Sequence, residues 1–267
     1  MNWRCSRIAG LLLLVVLAVF GAQAQSPTAT DPSYTADSIV NAATQVPGTL
    51  APNTIATIYG KNLSWTTHAV TAGDLDGGTL PDALEGVSVY VNGILSNLFF
   101  VSPGQINFLI PYEIVGSGAT VVVERQGIVG PAVTIPLATT SPGLFEWNGN
   151  FALAEHADGS LVTAVAPAQP GEVIVLYAAG LGRTIPDVAS GHIVSTATSI
   201  LYESELQILL NGQPCPASSI WYAGLAPGFA GLYQINLELP QELAVNPQIQ
   251  ISMAAQSGPA NVELYAQ

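Results

Sequence analysis

The side chains that could do chemistry are few and unevenly placed. Asp74, Asp76, Asp82 and Glu85 form the densest acidic cluster, around Gly77-Gly78. Hard cations such as calcium take several oxygen ligands, and a glycine-containing loop can wrap one. Asp74, Asp76 and Asp82 are therefore the candidate calcium ligands. No Glu falls at the offset that a twelve-residue calcium loop requires, and a solvated acidic loop is the competing reading. Trp65, Trp147, Trp221 and Tyr222 are candidate platforms for stacking sugar rings, although aromatics on a sandwich more often serve core or interface. Trp65 lies in an irregular loop and is the better ligand-binding candidate. Trp221 and Tyr222 are neighbours in an expected strand, where alternation turns one of the two rings inward.

Hydrolytic chemistry finds little support. The chain has no Gly-x-Ser-x-Gly elbow and no His-Glu-x-x-His. His68, His156 and His192 are scattered without short metal-ligand spacing, and each reads most simply as a loop or surface residue. Glu155 and His156 are adjacent, so on a strand they face opposite ways. Gly180-Leu181-Gly182-Arg183 reads as a turn, with no helix after it to receive a phosphate. No catalytic residue and no required cofactor are expected. Two polar pairs stand out because they recur: Gln105/Asn107 and Gln234/Asn236. Amides there can bond the backbone of the adjacent Pro-Gly loop and fix its shape, with a ligand site as the alternative.

The elements that must position these groups are strands. Val87, Val89 and Val91 alternate with Ser88 and Tyr90, and Asn92-Gly93 follows at once. That is a half-buried strand ending in a tight hairpin. Ser102-Pro103-Gly104 breaks the next strand, and Ile106, Phe108 and Ile110 alternate up to Pro111. The same construction returns later. Leu206, Ile208 and Leu210 lead into Asn211-Gly212; Ala226-Pro227-Gly228 is the breaker; Gln234-Ile235-Asn236 repeats Gln105-Ile106-Asn107. Upstream, the strand ending at Tyr59-Gly60 matches the one ending at Tyr177-Ala178. The offsets change only by loop insertions, so one all-β unit is read as duplicated.

Bulk properties agree. The 267 residues suffice for two domains of about 100–120. Apolar residues make up 49%, interrupted throughout by 26 Gly and 19 Pro, as suits short strands and tight turns. Residues 1–24 read as a cleaved signal peptide, with Arg4 and Arg7, an apolar run from Ile8 to Phe20, and Ala22-Gln23-Ala24 as the cleavage site. The expected mature chain keeps only Lys61, Arg125 and Arg183 against 18 acidic residues, a net charge of about −15. Such a polyanion has no footprint for nucleic acid or for an anionic membrane face, and no second apolar run follows for membrane insertion. Cys5 leaves with the signal, so Cys215 cannot form an internal disulfide. It reads as a small half-buried hydrophobe.

The chain resembles a known family through Val40-Asn41-Ala42-Ala43, Thr57-Ile58-Tyr59-Gly60, Leu84-Glu85-Gly86-Val87-Ser88-Val89 and Val101-Ser102-Pro103-Gly104-Gln105-Ile106-Asn107-Phe108. The second half adds Tyr222-Ala223-Gly224-Leu225-Ala226-Pro227-Gly228 and Gly231-Leu232-Tyr233-Gln234-Ile235-Asn236. These resemble the uncharacterised C-terminal domain family named after Solibacter, found on secreted bacterial proteins. Each repeat also resembles, more loosely, the IPT/TIG class of immunoglobulin-like domains. The resemblance implies fold and export, and no catalytic residues.

The expected architecture is all-β, with two tandem immunoglobulin-like (IPT/TIG, E-set type) β-sandwiches. The expected boundaries are 1–24 signal peptide, 25–37 flexible lead-in, 38–140 first sandwich and 141–267 second. The expected function is a non-enzymatic secreted or envelope module for adhesion, binding or spacing, with an unknown protein or glycan as partner. The alternatives are a calcium-assisted carbohydrate-binding module and a cryptic extracellular hydrolase.

Overall fold

The computed structural model describes residues 30–267, so the signal-peptide expectation lies outside the described residues. The described chain is all-β, and its helical residues are confined to short 3-10 turns. Period-2 burial runs through the strands: Val87–Val91 and Ile249–Met253 alternate buried and half-buried, as does Gly118–Arg125.

In the first sandwich, one sheet runs in the order Ile39–Asn41, Ile55–Tyr59, Gln105–Leu109, Leu98–Val101, His68–Ala69. The facing sheet runs Val133–Pro136, Gly118–Arg125, Val87–Val91, Ile94–Leu95. Ile58, Ile106 and Phe108 meet Val89, Val91, Val121 and Val123 in one core. The second sandwich repeats this with Val173–Ala179, Tyr233–Glu238 and Ile220–Leu225 at the centre of its larger sheet, facing Leu206–Leu210 and Ile249–Met253. Its separate core holds Leu176, Ile208, Ile235, Ile251 and Leu264. The first core ends at Leu137 and the second begins at Leu144.

The likeness of the halves extends to single hydrogen bonds. Asn92 and Gly93 both have positive φ, 49° and 80°, and so do Asn211 and Gly212, 49° and 75°. These are the two-residue turns whose twist matches a hairpin. Asn92 Oδ1 accepts from Thr120 N–H at 2.8 Å, and Asn211 Oδ1 accepts from Gln248 N–H at 2.9 Å. The corresponding sheets of the two sandwiches also have a β-bulge at the same place, between Leu98 and Phe100 and between Ile220 and Tyr222.

The flexible lead-in expected over 25–37 is corrected for residues 33–37. Ser33 pairs with Lys61 through two backbone bonds of 2.9 Å. Tyr34 is buried, donating to Pro131 C=O at 2.6 Å and accepting from Val123 N–H at 2.7 Å. A buried ring with both hydroxyl bonds satisfied outweighs the polar composition of the segment.

The irregular loop expected around Trp65 and the acidic cluster is more ordered than that reading implied. Asp76 and Thr79 exchange backbone bonds of 2.9–3.0 Å around Gly77-Gly78, forming a tight hairpin. The second sandwich captures that hairpin: Leu80 N–H donates to Gly191 C=O at 2.9 Å and Ile193 N–H to Gly78 C=O at 2.8 Å. Tyr112 N–H donates to Ser190 Oγ at 3.1 Å nearby. Leu109 points away from the first core yet is only 2% exposed, because the loop at Gly231 lies on it and on Ile55. Burial of such a leucine contributes about 1.5–3 kcal/mol. The two sandwiches are therefore docked on one another.

Candidate functional site

The acidic loop is organised around His68. Its Nε2 lies 3.0 Å from Asp74 Oδ2 and its Nδ1 3.3 Å from Glu85 Oε1. Thr71 donates to Asp74 Oδ2 from both N–H and Oγ1, each at 2.7 Å. Both ring nitrogens face carboxylates, which favours the imidazolium. The hydrogen bond to Asp74 raises the His68 pKa above its ordinary 6.5, and His68 and Thr71 hold Asp74 down at about 2. Asp76 enters the hairpin through its backbone bonds with Thr79, and both Asp76 and Asp82 are exposed. Among the described residues no group of three or more His, Cys, Asp or Glu converges to hold a metal ion. The calcium expectation on Asp74, Asp76 and Asp82 thus gains no geometry from the described residues, and the Asp74 Oδ2 oxygen is taken by His68 and Thr71.

The reading of each histidine as a loop or surface residue is corrected for His68 and His156, which are half-buried strand residues; His156 Nδ1 meets Glu172 and its Nε2 lies 3.1 Å from Ala166 C=O. That contact with Glu172 raises the His156 pKa. A raised histidine pKa stabilises the fold below 6.5 and loses that contribution as pH climbs through the folded value, while the Asp74 contribution is lost as pH falls towards 2. Thermal unfolding is expected to peak at mildly acidic pH and decline towards pH 9. His68→Gln should remove part of the decline and His156→Gln the rest; an unchanged profile in both variants would refute the assignment.

Trp65 is half exposed, and its inner face is occupied. The Arg125 guanidinium lies 3.7 Å from the ring centroid. Arg125 is completely buried at the end of an alternating strand, in phase with Val121 and Val123. It donates from Nη1 to Asn62 C=O and from Nη2 to Thr30 C=O, the latter at 2.8 Å. Trp65 is thus a lid on a buried cation, with one face of the indole left open. Trp147 is half exposed on a short ribbon paired with Phe151. Cys215 is half-buried against the second core, and burial raises its thiol pKa.

The outer face of the second sandwich's larger sheet gathers what the sequence had separated. Strict alternation would send Trp221 and Tyr222 to opposite faces, but the bulge between Ile220 and Tyr222 places both outside. Trp221 is 64% exposed and donates from Nε1 to Glu238 Oε2 at 3.1 Å. The Tyr222 ring lies over Gly224, its hydroxyl accepting from Thr198 N–H at 3.0 Å and donating to Leu225 C=O at 2.7 Å. Tyr222 pairs with Asn236, and Tyr177 with Gln234. Tyr177 donates to Glu155 Oε2 at 2.8 Å, and burial with that carboxylate pushes its pKa up to about 12.

The amide pairs do not bond the Pro-Gly loops as expected; each pair bonds internally. Gln105 Nε2 donates to Asn107 Oδ1 at 2.8 Å and Gln234 Nε2 to Asn236 Oδ1 at 2.7 Å. Residues two apart share a strand face, which brings the amides together before either reaches a loop. Asn107 accepts a second bond from Thr57 Oγ1 at 3.1 Å. Val175 stands at the matching position opposite Asn236, so the second pair is less self-satisfied.

No family model matches the sequence, and no curated protein matches it. Among solved structures the chain is similar to the Bacteroides ovatus mixed-linkage glucan utilization locus SGBP-B in complex with mixed-linkage heptasaccharide, with TM-score 0.32 and 9% identity over 87% of this chain and 45% of that one. It is similar to the plexin A4 extracellular region with TM-score 0.29 and 12% identity, over 89% of this chain and 16% of that one. This chain therefore spans less than half the length of either.

Proposed function

We propose that the chain is an exported, non-catalytic binding module whose working surface is the outer face of the second sandwich. One observation carries this reading. The matching face of the first sandwich is covered at Leu109 and Ile55 by the second, whereas the second sandwich has half-buried Glu238 and Val173 at those positions, with no such loop on them among the described residues. An exposed tryptophan held by a hydrogen bond beside half-buried tyrosines is pre-organised contact area with little side-chain entropy to lose. The resemblance to a secreted domain family supports export.

The test is tryptophan emission of the mature protein titrated with a neutral polysaccharide, casein and anionic vesicles, beside a Trp221→Phe variant. A saturable change with polysaccharide or casein that the variant lacks is the expected outcome. No response to either, or steady turnover of ester or glycoside substrates, would overturn the proposal.

A further inference from the structure

We infer that the ligand of this face is a neutral polysaccharide chain lying along the strands, bound by ring stacking on Trp221. The inference rests on the reading above that the face is a binding surface, and adds what it binds.

Three competing occupants fit poorly. A second copy of the chain cannot repeat the docking of the second sandwich on the first, which uses the long loop 226–232 resting on apolar residues. The loop at the same place in the first sandwich is only Ser102-Pro103-Gly104, and the acceptor position has changed from Leu109 to Glu238. A polyanion, whether nucleic acid, anionic glycan or lipid surface, would meet Glu155 and Glu238 with no cation among the residues of this face. An apolar peptide segment would cover the Asn236 and Gln234 amides without bonding them.

A neutral saccharide satisfies each feature. Its axial C–H face is apolar and matches an open indole. Its hydroxyls are both donors and acceptors. They suit the Asn236 amide hydrogens and the Gln234 carbonyl oxygen, none of which has a hydrogen-bond partner among the described residues. They also suit the Glu238 carboxylate, whose Oε2 already takes the Trp221 N–H and so fixes the ring plane. The hydroxyl of Tyr222 is fully used by the backbone, so that ring offers its face and edge rather than a hydrogen bond. The row from Gln234 to Glu238 spans roughly 13 Å of strand, room for a short run of linked rings rather than a single one. That length points to recognition within a chain, with affinity growing over the first few rings and then levelling.

The experiment is native gel electrophoresis of the mature protein through gels containing hydroxyethylcellulose, xylan, polygalacturonate or casein, with wild type, Trp221→Ala and Trp65→Ala. The expected result is retardation of wild type and Trp65→Ala by at least one neutral polysaccharide. Trp221→Ala, an exposed position whose unfolding midpoint should match wild type, should bind about tenfold more weakly or worse. Calorimetry with oligosaccharides of increasing length should then show the rise and plateau. Retardation by casein alone, lost in Trp221→Ala, would keep the binding module and overturn the saccharide. Retardation by polygalacturonate alone would overturn the charge argument and with it this inference. Polysaccharide binding that survives Trp221→Ala would place the site elsewhere and overturn both readings, as would the absence of any retardation.

Discussion

Gly180→Ala is expected to lower the thermal midpoint by about 10 °C, several times the effect of Gly93→Ala. Both glycines have strongly positive φ, 78° and 80°. An alanine in that region costs about 1 kcal/mol in either place. The surroundings differ. A Cβ on Gly93 meets nothing within 4 Å, while one on Gly180 falls 2.0 Å from Ser141 C=O and 3.1 Å from Asn41 Nδ2. Ser141 is the hinge of the whole arrangement. Its N–H donates to Gly180 C=O at 2.7 Å, its own C=O accepts from Asn41 Nδ2 at 2.8 Å, and its Oγ donates to Thr49 C=O at 2.5 Å. The obstruction is backbone, so it cannot be relieved by rotating a side chain. Moving it breaks bonds to both sandwiches at once. Overpacking plus lost hydrogen bonds amounts to about 3–4 kcal/mol, and at this size each kcal/mol is worth about 2–4 °C. Calorimetry on both variants decides it: equal shifts would mean that the passage past Ser141 yields easily and that the docking of the sandwiches is loose.

The same comparison explains what could be read from the residues alone. The Asn-Gly hairpins, the valine alternation and the recurring Gln-Ile-Asn are local signals, and local signals survive without knowledge of the partner strand. The bulge at Ile220/Tyr222 does not. One unpaired residue inverts the phase of everything before it, and nothing in Ile-Trp-Tyr-Ala marks where that happens. The first half held the one clue, since Leu98-Phe99-Phe100 has the same bulge and likewise two adjacent aromatics. Docking was hidden for a different reason. Gly77-Gly78 read as part of a solvated acidic loop because its partner, the stretch around Gly191, lies more than a hundred residues away. Arg125 was legible in principle: strict alternation from Ala119 through Val121 and Val123 puts it inward, and a charge in phase with valines demands a partner.

Arg125→Ala is expected to destabilise the first sandwich by about 3–5 kcal/mol, the range for breaking a buried charge arrangement. The side chain is completely buried and does three things together. It bonds the carbonyls of Asn62 and Thr30, supports the Trp65 ring, and fills the space between them. Truncation removes the donors and leaves a cavity under an indole that has lost its cation. Arg125→Lys keeps the charge but not the planar fork, and one ammonium cannot serve two carbonyls and a ring face together, so an intermediate loss is expected. Trp65→Ala opens the guanidinium to water and removes only the stacking contribution, about 1 kcal/mol. The order Ala, then Lys, then the tryptophan variant is the signature of a structural lid, read by denaturant unfolding of each. A Trp65→Ala loss as large as that of Arg125→Ala would mean that the ring carries the site. If the lid order holds, Arg125→Ala should also speed proteolysis near Thr30, because the clip to that carbonyl ties the first described residues to the sandwich. Binding through Trp221 on the second sandwich should then be untouched by Trp65→Ala, since the two tryptophans belong to separate sandwiches and answer to different partners, a guanidinium for one and a carboxylate for the other.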